Sequence, residues 1–407
     1  MTILHTADWH LGQTFMQKSR KEEHQLFIHW LLEILDQEKI DVVIVAGDIF
    51  DVANPAIEAM DLYHHFLLEA YKQNIDVIII GGNHDSAARL NTTGDLLRLL
   101  NVHVVGGEVD ALGKIIPLVN KKNNLTEAVV VAVPYLRDGE IRKIAEGEEV
   151  IEAHHQFFAS VQKHYDGLLK EASEKFPGVP IIGTAHLYVN GSALSDPAIE
   201  NMHAIGTLGQ LSSSAFSKGY AYIAMGHIHK PQIMKHGEGV IVKYSGSPIP
   251  LSFSEREDQK EITVLELSAN QLTTRTINIP MFRPLRRFKG TPEKVTKIIE
   301  EYQHNTLLPA WGEIILTEKI NFIEFNQQIA TFCIDNKIEI LNRQLAIPST
   351  TYNSIREAYI AGADNNPLDN VTEIFKLKCE KSGLNDENTN ALLPLFENIL
   401  SQVNEIK

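Results

Sequence analysis

Five short stretches of this 407-residue chain place metal-ligating side chains directly after Val/Ile-rich runs. They are Asp8 and His10 in "TADWHLG", Asp48 in "AGDIFD", Asn83 beside His84 in "GGNHD", His186 in "GTAHL", and His227 with His229 in "AYIAMGHIHKPQ". An Asp at a strand end is commonly a turn or helix cap, and a lone His commonly packs or faces solvent. No one of these residues therefore carries a site by itself. Their shared position does, because loops that follow neighbouring parallel strands converge on one sheet edge. Carboxylate, imidazole and amide oxygen without thiolate suit Mn²⁺, Fe²⁺ or Zn²⁺, and the imidazoles argue against Mg²⁺ or Ca²⁺ as the main ion. Seven ligands exceed what one ion with an open position needs. Two ions sharing one bridging carboxylate fit the number, and ions about 3.5–4 Å apart cleave phosphate esters by activating water and stabilising the oxygens of an in-line displacement. Gly47, Gly81, Gly82 and Gly226 would let the backbone turn sharply as it leaves each strand.

These side chains need strands to carry them. "ILHTAD", "DVVIVAGD", "DVIIIGGNHD", "AVVVAVPY", "VPIIGTAH", "YAYIAMGH", "GVIVKYSGS" and "EITVLELS" are Val/Ile-rich and end in turn or ligand residues, which predicts strands. Amphipathic stretches at Glu22 to Gln37 and Ala56 to Gln73 predict helices between the early ones. Alternation of strand and helix implies right-handed crossovers and a buried sheet. The strands after about Gly219 follow one another without helices and read as an antiparallel second sheet, so the expected fold is a two-sheet α/β sandwich with ligands at strand ends. On an extended strand end residues two apart point to one side, about 6–7 Å apart by the strand rise. His227 and His229 so spaced suit one imidazole for each of two ions.

After "INIPMFRPLRRFKG" a smaller βαβαβ pattern predicts a capping domain. Its helices are expected at Thr291 to His304 and Phe322 to Asp335, with strands near Leu285, in "GEIILTEK" and in "KIEILNRQ". A breaker-rich loop, "AGADNNPLDN", precedes two short C-terminal helices, Val371 to Glu380 and Ala391 to Val403. The last has an apolar face of Leu392, Leu393, Leu395, Phe396, Ile399, Leu400 and Val403, suited to packing on the cap or docking on another protein. The expected division is 1–278, 279–348 and 349–407.

Composition bounds the reading. The chain is 44% hydrophobic and 22% charged, an ordinary globular balance. No apolar run approaches the ~20 residues of a membrane span, and the N-terminus lacks a signal-peptide pattern, so the expected compartment is the cytoplasm. Cys333 and Cys379 have no CxxC spacing and read as reduced thiols. A formal net charge of -15 excludes nucleic-acid binding by charge alone, although clustered carboxylates suit divalent cations. One basic cluster, Arg283, Arg286, Arg287 and Lys289, is either a DNA contact or a solvated strand edge.

The ordered set D-x-H, G-D, G-N-H-D, H and G-H-x-H resembles the calcineurin-like metallophosphoesterase superfamily over nearly the first 260 residues. Together with "YSGSPIPLSFSE", these stretches are similar to the bacterial SbcD-type nuclease family of double-strand-break repair. The resemblance implies one ion on Asp8, His10, Asp48 and His229, the other on Asp48, Asn83, His186 and His227, with Mn²⁺ as the metal. It implies that His84 contacts the scissile phosphate and helps protonate the leaving oxygen. Archaeal relatives place a histidine where this chain has Asp51, a carboxylate that could orient His84 and raise its pKa. Asp85 reads either as a partner supporting the site or as a turn cap. The family's activities would be a double-strand exonuclease and a single-strand and hairpin endonuclease. They are exercised with an SbcC-type coiled-coil ATPase, as a homodimer within a heterotetramer at the nucleoid. The dimer would form through helices near Ala56 to Gln73 and Leu90 to Leu100.

Two other functions compete. A phosphatase or small-molecule phosphodiesterase would use the same ions, but phosphatases of this superfamily carry an arginine where Val52 follows Asp51. An inactive scaffold for the ATPase would not retain all seven ligands. His24, His29, His64, His65, His154, His155 and His164 lie in helical stretches and read as solvent-facing or packing residues; His5 and Trp9 read as structural.

Overall fold

A computed structural model describes residues 1–107, 115–136, 153–194, 211–237, 239–268, 271–346 and 391–396, with Phe375, Cys379 and Asn388. Contacts divide the chain into two units, residues 1–315 with 320–343 and residues 316–319 with 344–407.

In the first unit the strands in chain order are β1 (Thr2–Thr6), β2 (Thr14–Phe15), β3 (Lys18–Ser19), β4 (Val42–Ala46), β5 (Asp76–Ile80), β6 (Val102–Val105), β7 (Ile115–Val119) and β8 (Thr126–Val131). They continue with β9 (Ile181–His186), β10 (Tyr220–Gly226), β11 (Gln232–Met234), β12 (Ile241–Tyr244), β13 (Glu261–Ser268) and β14 (Gln271–Asn278). One sheet has the order β14-β13-β1-β4-β5-β6 and the other β11-β12-β10-β9-β8-β7.

The strands read as continuous apolar runs because both faces are buried. Side chains alternate across a strand, so Leu4, Val43, Val45, Val77 and Ile79 pack with Phe27, Leu31, Phe66 and Leu67 of helices Lys21–Gln37 and Ile57–Lys72. Their neighbours Ile3, Ile44, Ile78 and Ile80 meet Val130, Ile182, Tyr222 and Ala224 of the second sheet. On the far side of that sheet Val129, Val131, Ile223 and Met225 cluster with Val161, Tyr165, Leu168 and Ala172 of helix Ala153–Lys175.

The second sheet differs from the antiparallel expectation. β10 runs parallel to both β9 and β12, and β11 alone of the late strands pairs there antiparallel. Parallel neighbours need a crossover of a dozen or more residues. Here residues 227–240 supply it, with edge strand β11 in place of a helix, so the absence of a helix did not mean a hairpin. β13 leaves this sheet and pairs antiparallel with β1 of the first.

Beyond Pro284 the order is β15 (Leu285–Gly290), helix Pro292–Glu301, β16 (Ala310–Leu316), helix Phe322–Asp335 and β17 (Ile338–Leu345), with sheet order β15-β16-β17. Both helices start on side-chain caps, Thr291 accepting from the Lys294 N–H and Asn321 from the Ile323 N–H. Phe253, Leu285 and Trp311 form a small apolar cluster, with Phe15 and Leu341 against it.

In the second unit residues 391–396 are helical, as are Phe375, Cys379 and Asn388. The Phe375 and Phe396 rings stack with centroids 4.1 Å apart. The linker loop, most of the helix expected over 371–380, and Ile399, Leu400 and Val403 lie outside the described residues. Both cysteines are free thiols. No described helix is long and apolar enough to cross a membrane.

Candidate metal centre

All five stretches leave the C-terminal ends of β1, β4, β5, β9 and β10, and the two sheets bring those ends together. Asp8 (φ 51°), His10 (φ 46°), Asp48 (φ 49°) and His227 (φ 91°) have left-handed backbones, uncommon for residues other than glycine and held only where surrounding contacts over-determine them. Those contacts are present. The Asp8 N–H donates to Gly47 O at 3.0 Å and the His10 N–H to Asp48 O at 3.0 Å. The His227 N–H donates to Asp8 Oδ1 at 2.8 Å and the His84 N–H to Asp48 Oδ1 at 2.9 Å. Asp85, buried below, accepts from the Ile49, Phe50 and Gly82 N–H groups at 3.1, 3.0 and 2.9 Å, tying the loop after β4 to the loop after β5. Burial, with the charge of Asp48 beside it, pushes its carboxyl up to about 6 against the pull of those donors.

Of the four glycines expected at sharp turns, Gly47 alone has the left-handed backbone, at φ 90°. Gly82 and Gly226 serve close approach instead: a Cβ on Gly82 would lie 2.1 Å from Asp48 Oδ1, and one on Gly226 2.0 Å from Ala46 O.

Asp48 Oδ2 lies between two imidazoles, 3.1 Å from His186 Nε2 and 3.6 Å from His10 Nε2. His186 donates Nδ1–H to Ala46 O at 2.9 Å, which leaves its Nε2 facing Asp48 and, at 3.0 Å, Asn83 Oδ1. His227 Nδ1 is 2.9 Å from the same Asn83 oxygen, and its ring centroid is 5.2 Å from that of His186. His229 belongs to the other side, 5.1 Å from the His10 ring. The two histidines of "HIH" thus face different neighbours, although they lie past the end of β10 and His227 has a left-handed backbone, not the extended one expected.

Ligand atoms within 4.8 Å of one another form two groups among the described residues: His10, Asp48 and His84, and Asp48, His186 and His227. Asp48 is common to both. The arrangement fits cations. Asp8 Oδ2 and His10 Nε2 are buried with no hydrogen-bond partner, which is costly for polar atoms unless a cation or proton satisfies them. Burial would lower the pKa of His186, yet the carboxylates of Asp48 and Asp8 hold it up to about 9. Asp48 is correspondingly well below the usual carboxylate range, because the imidazoles of His186 and His10 outweigh its burial.

His84 is exposed at the mouth, its ring 4.8 Å from that of His10. The expected contact with the Asp51 carboxylate is not formed. That carboxylate turns to His10 Nδ1, 3.2 Å away, and the backbone carbonyl of Asp51 receives His84 Nδ1 at 2.7 Å. One residue of the loop after β4 thus serves both histidines, through its side chain on one and its main chain on the other.

The basic cluster also needs correction. Arg283 is buried, donating to Glu23 at 2.8 Å, to Glu22 at 2.6 Å and to Pro309 O, with its guanidinium 4.3 Å from the Trp311 ring centroid. Its charge is consumed inside the fold and offers nothing to a phosphate. Arg287 pairs with Glu313, while Arg286 and Lys289 are exposed on β15. Trp9 packs edge-on against Phe27 and Phe66. His5 is buried beside the Tyr222 hydroxyl, and His24 is buried in its helix, whereas His29, His64 and His65 are exposed.

Glu255 was missed. Its Oε1 lies 3.1 Å from His229 Nδ1, although 26 residues separate the two in sequence. The available signal was its place at the end of "YSGSPIPLSFSE", a stretch that already carried the family resemblance.

The sequence profile of the calcineurin-like phosphoesterase family matches residues 1–231. The chain is similar to the SbcD component of nuclease SbcCD from Escherichia coli, 32% identical over 410 residues and 98% of each chain. It is also similar to the SbcD proteins of Rhodobacter capsulatus, 35% identical over 70% of each chain, and Bacillus subtilis, 28% identical over 71% of this chain and 72% of that one.

Proposed function

The chain belongs to the calcineurin-like phosphoesterase family, and we propose that it is the Mn²⁺-dependent DNA nuclease component of an SbcCD-type complex. The observation that carries this reading is the sharing of Asp48 by two ligand groups at the joined strand ends of two sheets. In this proposal Asp8, His10, Asp48 and His229 hold one divalent ion, and Asp48, Asn83, His186 and His227 hold the other. The bound ions would supply Lewis acidity toward the phosphate and lower the pKa of water.

The chain's own residues do the rest. The Asp51 carbonyl can only accept a hydrogen bond, so the contact at 2.7 Å places the His84 proton on Nδ1. Nε2 is then the nitrogen that exchanges a proton with the leaving oxygen in the open mouth of the site. Asp85 keeps the two loops that carry Asp48, Asn83 and His84 in register.

DNA is the proposed substrate, cut as an exonuclease at double-stranded ends and as an endonuclease in single strands and hairpins during repair, recombination and replication. With a formal net charge of -15, most DNA affinity comes from the partner, a coiled-coil ATPase of the SbcC type. Residues 279–348 cap the nuclease domain of 1–278, and 349–407 dock on that ATPase. Exposed Ile57, Leu68 and Tyr71 with Leu96 and Leu99 support a homodimer surface within a heterotetramer. The complex works in the cytoplasm, at the nucleoid.

The test uses purified full-length protein and a labelled hairpin duplex, with and without Mn²⁺ and the ATPase. Mn²⁺-dependent cleavage that is abolished by chelation supports the reading. Hydrolysis of a small phosphodiester with every DNA substrate left intact, even with the ATPase present, overturns it.

A further inference from the structure

We infer that Glu255, held in place by Lys260, is the positioning residue for His229 and makes the two metal positions unequal. This rests on the two-ion reading above.

The contacts are specific. Glu255 Oε1 faces His229 Nδ1 at 3.1 Å, while Oε2 accepts from Lys260 Nζ at 2.7 Å, from the Leu251 N–H at 3.1 Å and from Ser247 Oγ at 3.4 Å. Lys260 Nζ also donates to His229 O and to Ser247 Oγ, both at 2.9 Å, so its three protons have three acceptors. His229 is therefore gripped twice by one ion pair, at its ring through Glu255 and at its backbone through Lys260.

Glu255 and Lys260 are only 5% and 4% exposed. A buried pair of this kind is a poor source of stability, because desolvation offsets the attraction. Its geometric effect is clear: with Nδ1 committed to a carboxylate, His229 turns Nε2 to the ligand side, and the carboxylate makes that nitrogen a stronger donor to a cation.

The second position is built otherwise. His10, on the same side as His229, also has a carboxylate behind it, that of Asp51 at 3.2 Å. His186, on the far side, has the neutral carbonyl of Ala46 in hydrogen-bond contact with its Nδ1 at 2.9 Å, with the carboxylate oxygen Asp8 Oδ1 farther from that nitrogen at 3.8 Å. The His10–His229 position is thus backed by two anions behind its ligands and binds its ion the more tightly.

The test is Mn²⁺ titration calorimetry on full-length parent, Glu255→Gln and the double variant Glu255→Gln/Lys260→Met. The double variant removes both charges, so that a lone buried ammonium is not what is measured. Thermal unfolding of the metal-free proteins shows which variants are folded. The parent should bind two ions with unequal affinities. In the folded variants the tighter position should weaken by about 10–100-fold while the weaker keeps its parent affinity. Electron paramagnetic resonance should then show isolated Mn²⁺ at loadings where the parent shows a coupled pair. A folded double variant that binds both ions as the parent does, or loses both alike, overturns the proposal. A parent that binds fewer than two ions overturns the two-ion reading itself, an outcome visible without any variant.

Discussion

His84 gives its Nδ1 proton to the backbone carbonyl of Asp51, 2.7 Å away, and not to the Asp51 side chain. A main-chain contact survives substitution, so the orientation of His84 does not depend on which residue occupies position 51. His84→Gln removes the proton carrier and leaves the seven proposed ligands. DNA cleavage should fall by roughly 10²–10⁴-fold, with Mn²⁺ binding by calorimetry unchanged.

Asp51→Asn has a different expected effect. It keeps the carbonyl that holds His84 and takes away the charge behind His10. Mn²⁺ affinity should weaken by about 10-fold, while the pH dependence of cleavage at saturating Mn²⁺ stays that of the parent. A shifted pH profile would show that the carboxylate does act on His84.

Gly82→Ala tests the packing of Asp48, the proposed bridging carboxylate. The new Cβ would fall 2.1 Å from Asp48 Oδ1, which the His84 N–H holds, and 2.4 Å from the Asp48 backbone nitrogen, which has no side-chain freedom to give way. Overpacking of this kind costs about 1–3 kcal/mol. Denaturant unfolding should show that loss, and Mn²⁺ binding should fail at both positions because Asp48 serves both.

Arg283 and Lys289 should separate stability from DNA contact. Arg283→Met removes a buried guanidinium that donates to Glu22 and Glu23, and because Glu23 keeps its pairing with the buried Arg20, the loss of stability should be about 1–3 kcal/mol. Lys289→Ala leaves stability within about 0.5 kcal/mol. If the exposed lysine touches DNA, the slope of log affinity against log salt falls by about one.

Acid sensitivity follows from His5. Burial, helped by Lys243, lowers its pKa from 6.5 to about 3. The unfolded chain therefore binds the extra proton between those values, and stability is full above about pH 6.5 and lost as pH falls towards 3, by about 1.4 kcal/mol per unit. His5→Asn keeps a polar partner for Tyr222 and cannot take up that proton. Urea midpoints followed from neutral pH into acid should decline less steeply in the variant. Equal slopes would mean that His5 is not a source of the acid loss.

The candidate site and the class of fold were legible in short runs of residues. Asp8, His10, Asp48, Asn83, His186, His227 and His229 are recognisable because each follows a run whose apolar continuity marks a strand buried on both faces. The succession β15, helix, β16, helix, β17 was equally legible, since helical and strand periods are local. What lies behind those ligands came from folding alone. Glu255 reaches His229 only because the chain turns back beside β10, and Arg283 disappears into the fold only because Glu22 and Glu23, about 260 residues earlier, meet it there. The parallel course of β10 and β12 had the same origin, an edge strand completing a crossover that no helix announced. Period and residue type are written in a few consecutive positions. Which carboxylate faces which imidazole depends on how two sheets close on each other, and that is settled by packing across the whole chain.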